Sequence, residues 1–369
     1  MSDGTSESTD EVAVDVAGRF AISGQPQSVE PYGDGLINRT FLVVAEDNGY
    51  ILQRINGSVF PEPERIMSNL SLLQGHLSRH VEPGLRVPAL IPARDGQLFV
   101  RDEQGEVWRM MELIPNAGSL KSIQNPDQAR QIGRILGRFH ALLSDLPPSR
   151  LAVTLPGFHV TPRYLERFAG ILAAGISGRR GEVAEAIELV TERQARAGVL
   201  EEARRKGQIP ERVIHGDPKL DNILFDRETG RAASLIDLDT VQPGLVHYDL
   251  GDCLRSCCSV RSGSADVEGR FDLDLCRAIL GAYADETEGL LGEGEIELLF
   301  DAIRLIPFEL GLRFLMDHLE GDRYFRVTER GQNLRKARTQ LALVEDIEGK
   351  ESEIRQILAE SFGSSRRHL

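Results

Sequence analysis

Cysteine is scarce in this chain: four occur in 369 residues, three of them close together at Cys253, Cys257 and Cys258. So few thiols in so long a chain cannot form a disulfide framework, and a reducing cytoplasm is the expected home. No paired Cys-x-x-Cys accompanies the trio, and the i, i+4 spacing suits one buried helix face rather than a zinc site. No apolar run approaches the ~20 residues of a membrane span. Positive charge is not in excess either, since 43 Lys and Arg against 57 Asp and Glu leave a formal −14. That balance argues against nucleic acid or an anionic membrane as partner. The first ten residues are rich in Ser, Thr and acids, with neither a basic stretch nor an apolar segment, so they predict a disordered leader over 1–19 and no secretory signal.

The chain exceeds the size at which one hydrophobic core usually keeps growing, so two folding units are expected, and 41% apolar residues suffice to fill them. The most informative stretch is Val213-Ile-His-Gly-Asp217-Pro-Lys219-Leu-Asp-Asn222-Ile-Leu-Phe225, followed by Leu235-Ile-Asp237-Leu-Asp239. Short apolar runs flank each polar residue and read as strands of one hairpin. An alcohol attacking a phosphoryl group needs a carboxylate to orient it and accept its proton, and Asp217 lies in a loop where it can do so. Metal ions bridging nucleotide phosphates take hard oxygen ligands, which Asn222 and Asp237 supply from opposite arms, with Asp239 assisting. Lys219, two residues past the base, directs an ammonium at the transferring phosphate.

These residues resemble the catalytic loop and metal-binding strand of the aminoglycoside phosphotransferase and choline kinase superfamily. A narrower likeness to N-acetylhexosamine 1-kinase-like sugar kinases rests on Tyr32-Gly-Asp-Gly-Leu-Ile-Asn38-Arg-Thr40-Phe with Tyr50-Ile-Leu-Gln-Arg54-Ile-Asn56, on Thr240-Val-Gln-Pro-Gly244 with Tyr248-Asp249-Leu-Gly-Asp252, and on Gly311-Leu-Arg313-Phe-Leu-Met-Asp317 with Tyr324-Phe325. The resemblance implies an α+β, bilobal protein-kinase-like fold with a small β-rich N-lobe over 20–114, a larger mainly helical C-lobe over 115–350, and a helix end and tail over 351–369. It also implies ATP and Mg2+ as cofactors, an aspartate at 249 or 252 bracing the catalytic loop, and Arg313, Asp317 and Tyr324 holding the acceptor.

In the N-lobe, Thr40–Ala45 and Tyr50–Ile55 read as a hairpin behind a glycine-bearing loop. Gly33 and Gly35 let backbone N–H groups approach phosphate oxygens, with Asn38 and Thr40 adding polar contacts. Arg54 stands where protein kinases carry a phosphate-pairing lysine, and its planar fork is a different donor from an ammonium. The helix predicted over Pro63–Leu77 offers Glu64 as its partner. The strand ending Met111-Glu112-Leu-Ile114-Pro115 is the expected hinge, where backbone groups around Glu112 to Ile114 hold adenine and Met111 packs on it. The apolar stripe from Ala129 to Leu143 predicts a helix with His140 as a core histidine, and the stripe from Leu298 to Glu320 predicts another, kinked at Pro307.

The expected activity is transfer of the ATP γ-phosphate to a small-molecule alcohol, the anomeric hydroxyl of a hexose or N-acetylhexosamine on the narrower likeness. A kinase for an aminoglycoside, choline-like or other amino alcohol is the alternative, and a non-catalytic nucleotide-binding module a second. Nothing in the pattern sets an oligomeric state.

Overall fold

The computed structural model describes residues 4–33, 37–46, 48–80, 84–175, 180–260 and 269–363. Burial alternates along β2 (Arg39–Ala45) and β3 (Asn48–Arg54), the period of a sheet with one face packed on a core. They form a six-stranded sheet with β1 (Ser28–Pro31), β4 (Leu90–Ile91), β5 (Val100–Arg101) and β6 (Val107–Glu112), in the order β1-β2-β3-β6-β4 with β5 on β6. Phe41, Val43, Tyr50, Leu52, Trp108 and Met110 bury one face against Ala13, Val16, Ala17 and Phe20.

The first of these partners overturns an expectation. Residues Gly4–Ala17 form a helix, α1, whose Ala13, Val16 and Ala17 are fully buried, so the segment expected to be a disordered leader covers the outer face of the sheet. Its polar composition hid an i, i+3, i+4 apolar stripe that only the sheet could pair with.

The other sheet face carries Thr40, Gln53, Arg109 and Met111 toward the rest of the molecule. Beside it lies α2 (Glu64–Leu77), where Ile66, Leu70 and Leu73 join one core with Leu136, Phe139, Leu250, Leu254, Ile279 and Tyr283 of the helical part. The two lobes therefore share a core across the cleft wall. That core also holds Cys253, Cys257, Cys258 and Cys276, all free and buried, as expected for packing residues.

After β7 (Ala117–Ser119), α3 (Pro126–Leu142) starts at Asn125, whose side chain accepts from Gln128 N, with Pro126 in the first turn. The chain continues through α4 (Thr161–Ala173), α5 (Ala184–Arg193) and α6 (Val199–Arg205) to the site strands β8 (Arg212–Ile214), β9 (Ile223–Asp226), β10 (Ala232–Leu235) and β11 (Gln242–Gly244). Helices α7 (Val246–Cys257), α8 (Leu273–Glu286), α9 (Glu293–Glu297), α10 (Leu299–Leu319), α11 (Gln332–Gly349) and α12 (Glu351–Gly363) complete it. α3 packs tightly on α8 because Gly133 and Gly137 lack side chains; a Cβ at Gly137 would lie 2.8 Å from Glu286 Cβ and 3.0 Å from Tyr283 O. α10 runs through Pro307 and packs against α4, α7 and α11. No described helix is long and apolar enough to cross a membrane.

Candidate active site

Strand β8 delivers the catalytic loop, and buried groups lock its shape. Gly216 has φ +86°, which a Cβ would make strained, and that Cβ would lie 2.7 Å from Thr240 O. The backbone N–H groups of His215 and Gly216 donate to the two carboxylate oxygens of Asp249, each at 2.7 Å. Asp249, in the first turn of α7, meets His140 Nε2 at 2.9 Å, while His140 Nδ1 meets the Tyr283 hydroxyl at 2.9 Å. Burial pushes the Asp249 carboxyl up, but the His140 bond and charge and the His215 N–H outweigh it and hold the group below its ordinary range. Asp249 is thus the brace implied by the resemblance, whereas Asp252 pairs with Arg255. His140 is buried, as the helix stripe predicted.

A second anchor was not foreseen. His159 Nε2 bonds to Gly216 O at 2.8 Å and its Nδ1 to Glu309 at 3.1 Å, and Thr161 donates to the other Glu309 oxygen at 2.8 Å. Burial lowers the His159 pKa, but the Glu309 charge and hydrogen bond, the Gly216 carbonyl and Asp252 together outweigh it and raise the value above that of an ordinary histidine. No local pattern marks His159; its partners lie 57 and 150 residues away.

Asp217 keeps a solvent opening, with 27% of its side chain exposed. Lys219 Nζ and Asn222 Nδ2 (3.0 Å) both meet Oδ2, and Asn222 Nδ2 also donates to Asp217 O at 2.8 Å. Among the described residues no donor is bonded to Oδ1, which leaves it for an incoming hydroxyl. Burial lowers the Lys219 pKa, but Asp217 and then Asp237 raise it by more, so the ammonium stays charged between the two carboxylates. Asn222 is buried with its amide nitrogen turned to Asp217, which leaves its oxygen for a metal. Ile236 N donates to Asn222 O at 3.0 Å and so brings the two strand ends together.

Asp237 adopts φ +61°, ψ +51°, a left-handed conformation that Asp tolerates better than most residues, at the end of the metal strand. Its residue surface opens on the cleft while protein crowds the carboxyl. Lost hydration first, and the neighbouring Asp239 charge second, push that carboxyl up to about 6. A divalent cation would relieve that charge, and two hard oxygen donors suit Mg2+.

Several sequence-predicted residues are placed otherwise. Asp239 is buried, and its carboxylate is taken by Asn38 Nδ2 at 2.7 Å and by an ion pair with Arg109, so it is not presented to a metal. Asn38 is engaged by that bond and by Asn56 N (3.0 Å) and offers nothing to a nucleotide. Thr40 Oγ1 accepts from Gln53 Nε2 at 3.0 Å, in register with it across the hairpin. Arg54 pairs in register with Trp108 and so lies on the outward-facing side of β3, away from the cleft; Gln53 occupies the cleft face instead. Glu64 pairs with Arg101 of β5. Gly33 has φ +73° with open space at its missing Cβ, so its backbone conformation and not crowding favours glycine there, and Gly35 lies outside the described residues.

At the hinge, Glu112 N donates to Ala89 O (2.8 Å) and Leu113 N to Gly49 O (3.1 Å). Ile114 N has no backbone acceptor among the described residues. Met111 lies on the same face as Arg109 and Gln53, where a base would stack. Arg109 is the residue that sequence reading missed, although its position within the apolar strand Val107-Trp-Arg-Met-Met was a signal.

A cavity of about 170 Å³ is lined by Phe158, Tyr164, Arg313, Asp317, Glu320 and Tyr324 among others. The Arg313 guanidinium lies 5.2, 5.5 and 5.6 Å from the ring centroids of Phe158, Tyr164 and Phe325. Its pKa is lowered by burial and raised by Tyr164, Glu309, Tyr324 and Asp217, which places the pocket within electrostatic reach of the base. Tyr324 is 48% exposed beside it. Asp317 lines this cavity, but its oxygens accept from the backbone N–H groups of Arg323, Tyr324 and Phe325 at 2.7–2.9 Å and from Asn333 at 2.8 Å, so it holds the loop and does not pair with Arg313. A larger cavity of about 320 Å³ at Leu85, Arg86, Ile114 and Asp226 includes none of Asp217, Asn222 and Asp237.

A family model described as a phosphotransferase enzyme family matches residues 28–288. The chain is similar to a homoserine kinase of Rhizobium meliloti (strain 1021), 25% identical over 303 residues that cover 80% of each protein. Its structure is similar to a microcompartment-associated aminopropanol kinase, 19% identical with a TM-score of 0.66, over 94% of this chain and 99% of the other. It is also similar to an aminoglycoside phosphotransferase of Alicyclobacillus acidocaldarius, 13% identical with a TM-score of 0.65, over 94% and 96%. The two structural likenesses establish the bilobal kinase-like fold. None of these names is a sugar kinase.

Proposed function

This chain belongs to the phosphotransferase enzyme family, and from that premise we propose that it transfers the γ-phosphate of ATP to a hydroxyl of a small organic alcohol, with Asp217 as the base. The observation that carries the reading is the division of labour on Asp217: Lys219 and Asn222 hold Oδ2, no donor among the described residues bonds Oδ1, and 27% of the side chain is exposed. Oδ1 orients the acceptor hydroxyl and takes its proton as the bond to phosphorus forms. Lys219 offsets charge on the transferring group. Asn222 and Asp237 would hold Mg2+, which when bound neutralises the nucleotide phosphates. The backbone of Glu112 to Ile114 and the side chain of Met111 receive the adenine.

The acceptor reading that the pocket supports best is a small hydroxy compound with an anionic end, a hydroxy amino acid of the homoserine type. Arg313 has no carboxylate partner among the described residues, while Glu309 and Asp317 are spent on protein groups. A guanidinium stacked among aromatic rings and without an ion-pair partner among the described residues suits a carboxylate. The homoserine kinase name of the curated relative supports this choice. A second reading, a hexose or N-acetylhexosamine, is favoured by the exposed Tyr324 ring, on which a sugar face can stack.

ADP release measured with homoserine, 1-amino-2-propanol, hexoses, N-acetylhexosamines and aminoglycosides, followed by phosphorus NMR of the product, separates these readings. Release above the acceptor-free background with homoserine supports the first, and with a hexose alone the second. No release with any alcohol sinks the kinase proposal.

A further inference from the structure

In protein kinases a strand lysine paired with a helix glutamate aligns the phosphate site. The corresponding elements here hold neither: the cleft-facing residue of β3 is Gln53, and Glu64 of α2 is engaged with Arg101 on β5. A charge pair nevertheless exists behind the metal strand. Arg109 of β6, 1% exposed, stands directly across from Gln53 and donates to its Oε1 from Nε (3.1 Å) and Nη2 (2.7 Å). Its Nη2 also forms an ion pair with Asp239, two residues past the metal ligand Asp237. Asn38, on the loop entering β2, takes the other Asp239 oxygen. Arg109 Nη1 and Asp239 Oδ1 are both sealed from solvent without a hydrogen-bond partner among the described residues, so what joins Arg109 to Asp239 is charge in a buried setting.

Arg109 of β6, itself held by Gln53 of β3, and Asn38 just ahead of β2 thus meet on the one carboxylate of Asp239. We propose that Arg109 is a positioning residue for Asp237, acting through Asp239, and that this interlobe pair takes over the alignment that strand lysine and helix glutamate provide in protein kinases. A buried guanidinium fork can hold Gln53 and Asp239 at once, which a single ammonium cannot. Because the pair joins the lobes, docking of the small lobe and setting of the metal loop become one event. The inference rests on the reading above that the cleft binds Mg·ATP.

The test is the Mg2+ concentration giving half-maximal ATP binding, followed by calorimetry and by ATP-induced thermal stabilisation, in wild type, Arg109→Met, Asp239→Asn and the double variant. Each single change should raise that concentration at least tenfold, and the double variant should be no worse than the singles, since both break one linkage. Gln53→Lys added to Arg109→Met should recover part of the loss by returning a cation to the cleft face. Should Arg109→Met not fold, Arg109→Lys, which keeps the charge without the fork, should still raise the requirement severalfold. Lower melting temperatures with unchanged Mg2+ dependence would overturn the proposal. Wild type that binds no Mg·ATP would sink the kinase reading with it, whereas wild type and variants binding alike would sink this inference alone.

Discussion

At the scale of single residues, the site divides into groups that face the cleft and groups that face the protein. Asp217 belongs to the first. Asp217→Asn keeps the bonds to Lys219 and Asn222 within reach but cannot accept a proton, so kcat for ADP release should fall by ~100-fold or more with little change in melting temperature. Near-normal turnover would end its assignment as base. Arg313 and Asp317 lie one turn apart yet act differently. Arg313→Ala should raise KM for the acceptor at least tenfold and leave KM for ATP unchanged. Asp317→Ala should lower the melting temperature, because it leaves three loop N–H groups without their acceptor and removes one of the two acceptors of Asn333. Equal effects of the two substitutions on acceptor KM would contradict the division. Asp217, Lys219, Asn222 and Asp237 were legible in the sequence, because their spacing within one hairpin fixes their proximity. Arg54, Asn38, Asp239 and Asp317 were not assigned correctly, since residue type says what a side chain can bind and not whether a buried neighbour already binds it.

At the scale of elements, helices with strong stripes, such as α2 and α3, fall within a residue or so of their sequence-derived ranges. α1 does not, and its correction makes a prediction. Removing residues 1–19 strips Ala13, Val16 and Ala17 from the outer sheet face and exposes Phe41 and Trp108. The loss should be on the order of 3 kcal/mol of stability, read as a lower denaturation midpoint with catalysis retained at low temperature. A midpoint equal to that of the full chain would show the helix to be dispensable. Strand β6 teaches the same lesson in reverse. Its apolar run announced a strand, but which of Trp108 and Arg109 faces the cleft depends on pairing with β3, and a shift of one residue would exchange them.

At the scale of the whole molecule, one buried chain, Tyr283 to His140 to Asp249 to the loop N–H groups, ties α3, α7 and α8 to the catalytic loop. The Asp249 carboxyl is held below the ordinary 3.8, so its ionised form favours the folded state. That stabilisation is complete above the unfolded-state value and is lost as pH falls below about 4 toward the folded-state value. Denaturation midpoints of wild type should therefore fall steeply below about pH 4, while Asp249→Asn, already weaker at pH 7, should show a shallower fall. Parallel acid profiles would remove Asp249 from the cause.

The linear order of residues by itself determined which polar side chains lie close together: Asp217, Lys219, Asn222 and Asp237 in and around one hairpin. Local spacing constrains neighbours in the chain strongly enough for that. The tertiary structure alone decided which carboxylates remain free, which arginine enters the cleft, and that the first helix belongs to the core. Each of those outcomes depends on contacts between segments tens to hundreds of residues apart, where burial and bond saturation are settled by packing.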